Sequence, residues 1–138
     1  MIKHLLAVNW VRIWAKHCIP AWESLHSWNY ELDYKILRCD GFMAFKNNMT
    51  GSFRFMFLEL DRGTNEFDKV IKYNKLYESD KYINDWWVKL TDHFPPILIV
   101  TVDDNRKKAI QGIVEGQNIN GLEFRVKLLD EIKREVIK

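Results

Sequence analysis

Proline, glycine and cysteine are scarce in this chain: three, six and two among 138 residues. So few prolines and glycines leave no low-complexity segment or linker, and the length suits one domain with a proper core. The cysteines, Cys18 and Cys39, have neither a repeated framework nor metal-ligand spacing. They read as reduced core or subsurface thiols of a cytoplasmic protein, against a structural bridge. No apolar run approaches the roughly 18 residues of a membrane span. Asn9, Arg12 and Lys16 interrupt the first apolar letters, so no signal peptide is read there. A strong net charge is also missing. At +2, any nucleic-acid contact has to come from local patches.

Aromatic residues are plentiful, 14% of the chain with six tryptophans, more than one core strictly needs. The rest of the chain is organised around residues 53–77, FRFMFLELDRGTNEFDKVIKYNKLY, which read as a buried strand, a tight turn and an amphipathic helix. Thr50-Gly51-Ser52 and Arg62-Gly63-Thr64-Asn65 punctuate the two ends of that strand. Alternation sends Phe55, Phe57, Glu59 and Asp61 to one face, and Met56, Leu58 and Leu60 to the other. A carboxylate behind two phenylalanines needs a partner or a metal, because burying a lone charge is costly. Glu59 and Asp61 are therefore the leading functional clue.

Residues 3–17 form an expected helix ended by Pro20, with Leu6, Trp10, Ile13, Trp14 and His17 on its apolar stripe. Residues 28–38 alternate as a first strand, residues 42–45 form a second, and Asn47 to Gly51 make a hairpin loop. Thr64 or Asn65 is the expected cap of the next helix. That helix carries Phe67, Val70, Ile71, Asn74 and Tyr77 on one side, Lys69, Tyr73 and Leu76 on a neighbouring stripe, and Lys72 and Lys75 outward. Residues 84–90 read as the end of a helical excursion. ILIVTV over 97–102 reads as a buried parallel strand, being continuous rather than alternating. Asp103 or Asp104 then caps a helix to about Glu115, residues 122–128 make a last strand, and 130–138 are a short charged helix or a frayed tail. The order is α-β-β-β-α-β-α-β, an α/β (α+β) domain with a mixed sheet flanked by helices.

A hairpin centred near Asn48-Met49 brings Asp40 close to opposite Glu59. With Asp61, two or three carboxylates can then share Mg²⁺ or Mn²⁺ and act on a phosphoryl group. Lys69 or Lys72 is placed to orient an attacking water, and Arg62 adjoins the carboxylates. The alternative is a salt bridge from Arg62 to Asp40 or Asp61 that holds the turn without a metal. Spacing leaves both open.

Several motifs together resemble one family. They are Trp28-x-x-Glu31, Cys39-Asp40-Gly41, FLELDRGT over residues 57–64, Lys69-x-x-x-Tyr73, FPPILIVT over 94–101, and Arg106. Spread over residues 4–110, they resemble the replication-relaxation proteins of plasmids and other mobile elements of Gram-positive bacteria. That family is similar to the PD-(D/E)xK nucleases, so the resemblance implies a restriction-endonuclease-like sheet. It also implies association with DNA in replication or transfer, with metal-dependent phosphodiester hydrolysis as the reaction. Asp40 matches the family aspartate, Glu59 the D/E position and Lys69 a helical lysine, with Glu31 a candidate fourth carboxylate. Cys39 replaces the usual proline, and Asp61 stands where the nucleases carry lysine. The winged-helix region usual ahead of this domain is not matched. The resemblance therefore implies weak DNA affinity alone and leaves room for a homodimer or a protein partner. A non-catalytic docking module on the same fold is the competing expectation.

Three further readings concern the rest of the surface. Tyr73, four residues after Lys69, is either packing or active-site rim. Arg106, Lys107 and Lys108 open a helix after a parallel strand, where phosphate contacts or a plain solvated face are equally expected. Trp86-Trp87 is either a docked or dimer-buried pair or a surface for stacking an unpaired base.

Overall fold

Five strands hydrogen-bond in their chain order to make one mixed sheet. The structure is a computed structural model describing residues 2–63 and 66–138, with side chains from Leu6 onward. In sequence the elements are α1 (Ile2–His17), β1 (Glu23–Tyr30), β2 (Gly41–Asn47), β3 (Phe53–Leu60), α2 (Lys69–Ser79), β4 (Ile97–Thr101), α3 (Asp104–Gln117), β5 (Phe124–Leu128) and α4 (Leu129–Ile137). Strands β1, β2 and β3 are antiparallel, while β4 and β5 continue parallel to β3. A parallel neighbour requires a crossover, and α2 and α3 supply the two. Among the described residues, no helix is long and apolar enough to cross a membrane.

The central hairpin follows the expected chemistry. Asn47 accepts the Met49 and Thr50 N–H groups on its side chain, and Gly51 at φ 77° turns the chain back. The register that results pairs Gly41 with Leu58 and Phe45 with Arg54. Alternation then divides the core as expected. Phe55 and Phe57 face Val70, Tyr73 and Leu76 of α2 and Ile110 of α3, whereas Met56 and Leu58 face Val11 and Ala15 of α1 and Ile132 of α4. Helices on both faces explain why every residue of β4 is buried.

Four expectations need correction. The strand expected over 28–38 is instead β1, which ends at Tyr30, because its partner β2 begins only at Gly41, the residue paired with Tyr30. With no strand opposite, residues 31–40 turn back on themselves through a Tyr34–Leu37 hydrogen bond and an isolated Asp33–Arg38 bridge. Glu31 and Lys35 adopt positive φ, and Tyr34, Leu37 and Cys39 still fill the core from this loop.

Helix α1 buries Val8, Val11 and Ala15, and exposes Leu6 and Ile13 by 53% and 41%. Small side chains let the helix approach the sheet, and the larger Trp10 and Trp14 pack only partly buried beside that contact. On α2 the buried stripe is Val70, Tyr73, Asn74 and Leu76, while Ile71 and Tyr77 are exposed. This helix begins only at Lys69, after Asp68, and the expected caps Thr64 and Asn65 lie outside the described residues. The segment 84–90 is turns ending in the 3-10 turn Val88–Leu90, which still sets Trp87 into the core. Asp103 is the cap of α3, its side chain accepting the Arg106 N–H at 2.8 Å. The last segment takes its helical form as α4.

Candidate functional site

The β2–β3 register delivers Asp40 to the end of the central strand. Its N–H donates to the Leu58 carbonyl, and its Oδ2 accepts the Leu60 N–H at 2.7 Å. Between those two residues, Glu59 points to the face covered by α2 and is 1% exposed. Lys69 and Tyr73, one turn apart on α2, meet it from above. Tyr73 Oη donates to Glu59 Oε2 at 2.6 Å, and Lys69 Nζ stands 3.4 Å from Oε1. Lys69 also donates to the Arg38 carbonyl, so the loop before Asp40 helps hold its ammonium. The structure thus brings together Asp40, Glu59, Lys69 and Tyr73.

Burial dominates the electrostatics of this cluster. It pushes the Glu59 carboxyl up to about 8, and the negative charge of Asp40 adds to the rise. Lys69 and the Tyr73 hydroxyl act in the opposite direction without cancelling it. Glu59 is therefore largely protonated near neutral pH in the protein alone. Burial, then Glu59, raises the Tyr73 phenol well above its ordinary value, so it serves as a hydrogen-bond donor. Cys39 is fully buried, and burial followed by the Glu59 charge pushes its thiol up to about 12. It is packing and carries no nucleophile.

Asp61 lies two residues beyond Glu59 but belongs to another network. Arg106 Nε and Nη2 reach its carboxylate at 2.7 and 2.9 Å, and Thr101 Oγ1 donates at 2.7 Å. Burial opposes ionisation there, yet the Arg106 and Thr101 hydrogen bonds outweigh it and hold the carboxyl below its ordinary value. A shared metal or a salt bridge from Arg62, to Asp61 or to Asp40, was expected here; Arg62 is exposed, and Arg106 is the cation that pairs with Asp61. Among the described residues, no three His, Cys, Asp or Glu side chains are grouped to hold a metal ion.

The remaining candidates are dispersed. Lys72 faces outward and pairs with Asp68 at 3.0 Å. Glu31 has an exposed side chain, although its N–H donates to the Asp40 carbonyl. Arg106 is held by Asp61, Lys107 ties α3 to α4 through Glu131 at 3.2 Å, and Lys108 is exposed. Sequence reasoning missed Thr101 and the Arg106–Asp61 pair. The available signal was a lone hydroxyl closing the apolar run ILIVT, followed by an arginine in the first turn after a capping aspartate. Comparison with family models, curated proteins and solved structures finds no match.

Proposed function

We propose that this chain is a PD-(D/E)xK-like domain acting on DNA of plasmids or other mobile elements, with phosphodiester hydrolysis dependent on Mg²⁺ or Mn²⁺. The convergence of Asp40, Glu59 and Lys69 at the end of β3 carries the reading. The antiparallel β1–β3 meander, followed by a helix and a parallel β4 in a sheet flanked by helices, supports the same reading.

A divalent cation fits the donors present. Asp40 and Glu59 bring two carboxylates to the same end of β3, where burial, followed by the charge of Asp40, raises the Glu59 pKa. Two carboxylates completed by water and phosphate oxygens are an ordinary Mg²⁺ environment. Asp40 and Glu59 would hold the ion, which when bound neutralises phosphate charge and acidifies a water. Tyr73 fixes one oxygen of Glu59, leaving the other toward Lys69. The Lys69 side chain is 27% exposed, and its ammonium orients the water or the phosphate it attacks. Asp61 has no ligand role in this scheme. With Arg106 and Thr101 it fastens the end of β3 to β4 and α3.

A second reading rests on that same pair. The position where the nucleases carry lysine is an aspartate already neutralised by Arg106, as expected of a non-catalytic descendant that keeps the fold for docking. Incubation with supercoiled, linear, branched and single-stranded DNA plus Mn²⁺ decides between the two. Cleavage by the wild type that is lost in Asp40→Asn and Glu59→Gln supports hydrolysis. Cleavage of no substrate, or equal cleavage by the variants, leaves the docking module.

A further inference from the structure

We infer that the hairpin end of the sheet is a stacking platform for an unpaired nucleic-acid strand, formed by Trp86, Phe53 and His26 with Lys46 beside them. The inference rests on the DNA-directed reading above and names the form of DNA the domain would hold.

Trp86 is 47% exposed although its neighbour Trp87 is 2% exposed and packed against Phe42. The buried indole anchors the exposed one. Trp86 meets Phe53 and Phe55 edge to face, at 85° and 82°, with ring centroids 6.0 and 5.5 Å away. Those two phenylalanines are themselves parallel to within 4°. His26 protrudes where the β1–β2 register shifts, and its ring lies 5.0 Å from Phe53 and 6.0 Å from Trp86. Three rings from three separate segments thus meet in one exposed place, held by a buried neighbour and a strand.

The charge beside them favours a phosphate. Lys46 Nζ lies 6.0 Å from the Phe53 ring centroid. Glu23, the carboxylate at this end of the sheet, is already bound by Arg54, which stacks on Phe45 of the opposite face. Among the described residues, Lys46 therefore pairs with no carboxylate. Aromatic faces take any base, and a neighbouring cation takes the backbone. A duplex keeps its bases stacked inside and offers the rings nothing comparable. Phe53 and Glu59 are at opposite ends of β3, about 20 Å apart by strand rise. A strand held on the platform can reach the carboxylates, while binding and hydrolysis remain separable.

The test is fluorescence anisotropy of a labelled oligothymidylate and of a duplex of equal length, with the full chain at low and moderate salt. The wild type should bind the single strand more tightly, and more weakly as salt rises. Trp86→Ala should lose about tenfold or more in affinity and Trp86→Phe much less. Lys46→Glu should lose affinity and flatten the salt dependence. Melting of each variant separates lost binding from lost folding, and Lys46→Glu keeps the test valid should Trp86→Ala unfold. Binding is read without a divalent cation, so a failed hydrolysis reading leaves this result intact. Equal binding by wild type and Trp86→Ala, or no preference for the single strand, overturns the platform. So does a Trp86→Ala protein whose only change is loss of a dimer in sedimentation, which would assign the rings to a second copy of this chain.

Discussion

Tyr73 donates a 2.6 Å hydrogen bond to Glu59 where α2 meets the central strand, and both side chains are buried to within 1%. Tyr73→Phe keeps the ring and removes the donor, leaving one oxygen of Glu59 without its partner. The expected loss of stability is about 1–3 kcal/mol, measured by denaturant unfolding at neutral pH. In the Glu59→Leu background the same substitution should cost much less, because the oxygen it strands is gone. Equal losses in both backgrounds would place the cost in packing rather than in the hydrogen bond.

Glu59 also gives the fold a pH dependence. Its carboxyl titrates near 8 in the folded protein, against 4.5 as its ordinary value. Between those values the folded state binds more protons than the unfolded state, so stability falls as pH rises. The contribution is fully present below 4.5 and lost above about 8. The whole swing is on the order of 4–5 kcal/mol. Glu59→Gln should flatten the stability curve across that window, as followed by unfolding at several pH values. Added Mg²⁺ should raise the melting temperature of the wild type at alkaline pH and leave Glu59→Gln unmoved.

These two effects depend on features of unequal legibility. The placement of Glu59 was readable because strand alternation and a short hairpin are local, and the Gly41–Leu58 pair carries the register to Asp40. Lys69 was readable as a candidate from its distance along the helix, although α2 begins later than the capping residues suggested. The segment from Glu31 to Asp40 misled because Tyr30, Leu32, Tyr34 and Ile36 alternate like a strand. Alternation records which side chains are wanted inside, but a strand also needs a neighbour to bond with, and β2 begins too late to offer one. The Arg106–Asp61 pair spans 45 positions and depends on the parallel packing of β3 and β4, which no local pattern specifies. Arg62, next in sequence to Asp61, was the natural but wrong partner.

That long-range pair has its own energetic signature. The side chains of Asp61 and Arg106 are 7% and 19% exposed, and the contact is two-pronged. Removing either side chain breaks both prongs of the contact, so Asp61→Ala and Arg106→Ala should each cost about 2–3 kcal/mol. This is below the fully buried range because Arg106 retains some contact with water. The double variant should cost clearly less than the sum of the two singles, and strictly additive losses in a double-mutant cycle would mean the pair contributes nothing as a pair.

Lys69 and Lys72 of α2 separate the site from the surface. Lys69 stands 3.4 Å from Glu59, whereas Lys72, three residues on, pairs outward with Asp68. Both substitutions to methionine keep the aliphatic stem, so they test the charge and not the packing. Lys69→Met should leave Glu59 harder to ionise, moving its titration, followed by the carboxyl carbon resonance, above the wild-type value near 8. On any DNA the wild type cleaves, it should slow hydrolysis by about 10²-fold, the scale of loss when a reacting group is no longer held in position. Lys72→Met should leave both the Glu59 titration and the cleavage rate unchanged, since an exposed i,i+4 pair is worth only about 0.3–0.5 kcal/mol. If Lys69→Met shifts the titration yet cleaves at the wild-type rate, Lys69 tunes the carboxylate without taking part in the reaction. If both variants slow cleavage alike, the lysines act together as a DNA-binding surface, and the distinction drawn from their geometry is wrong.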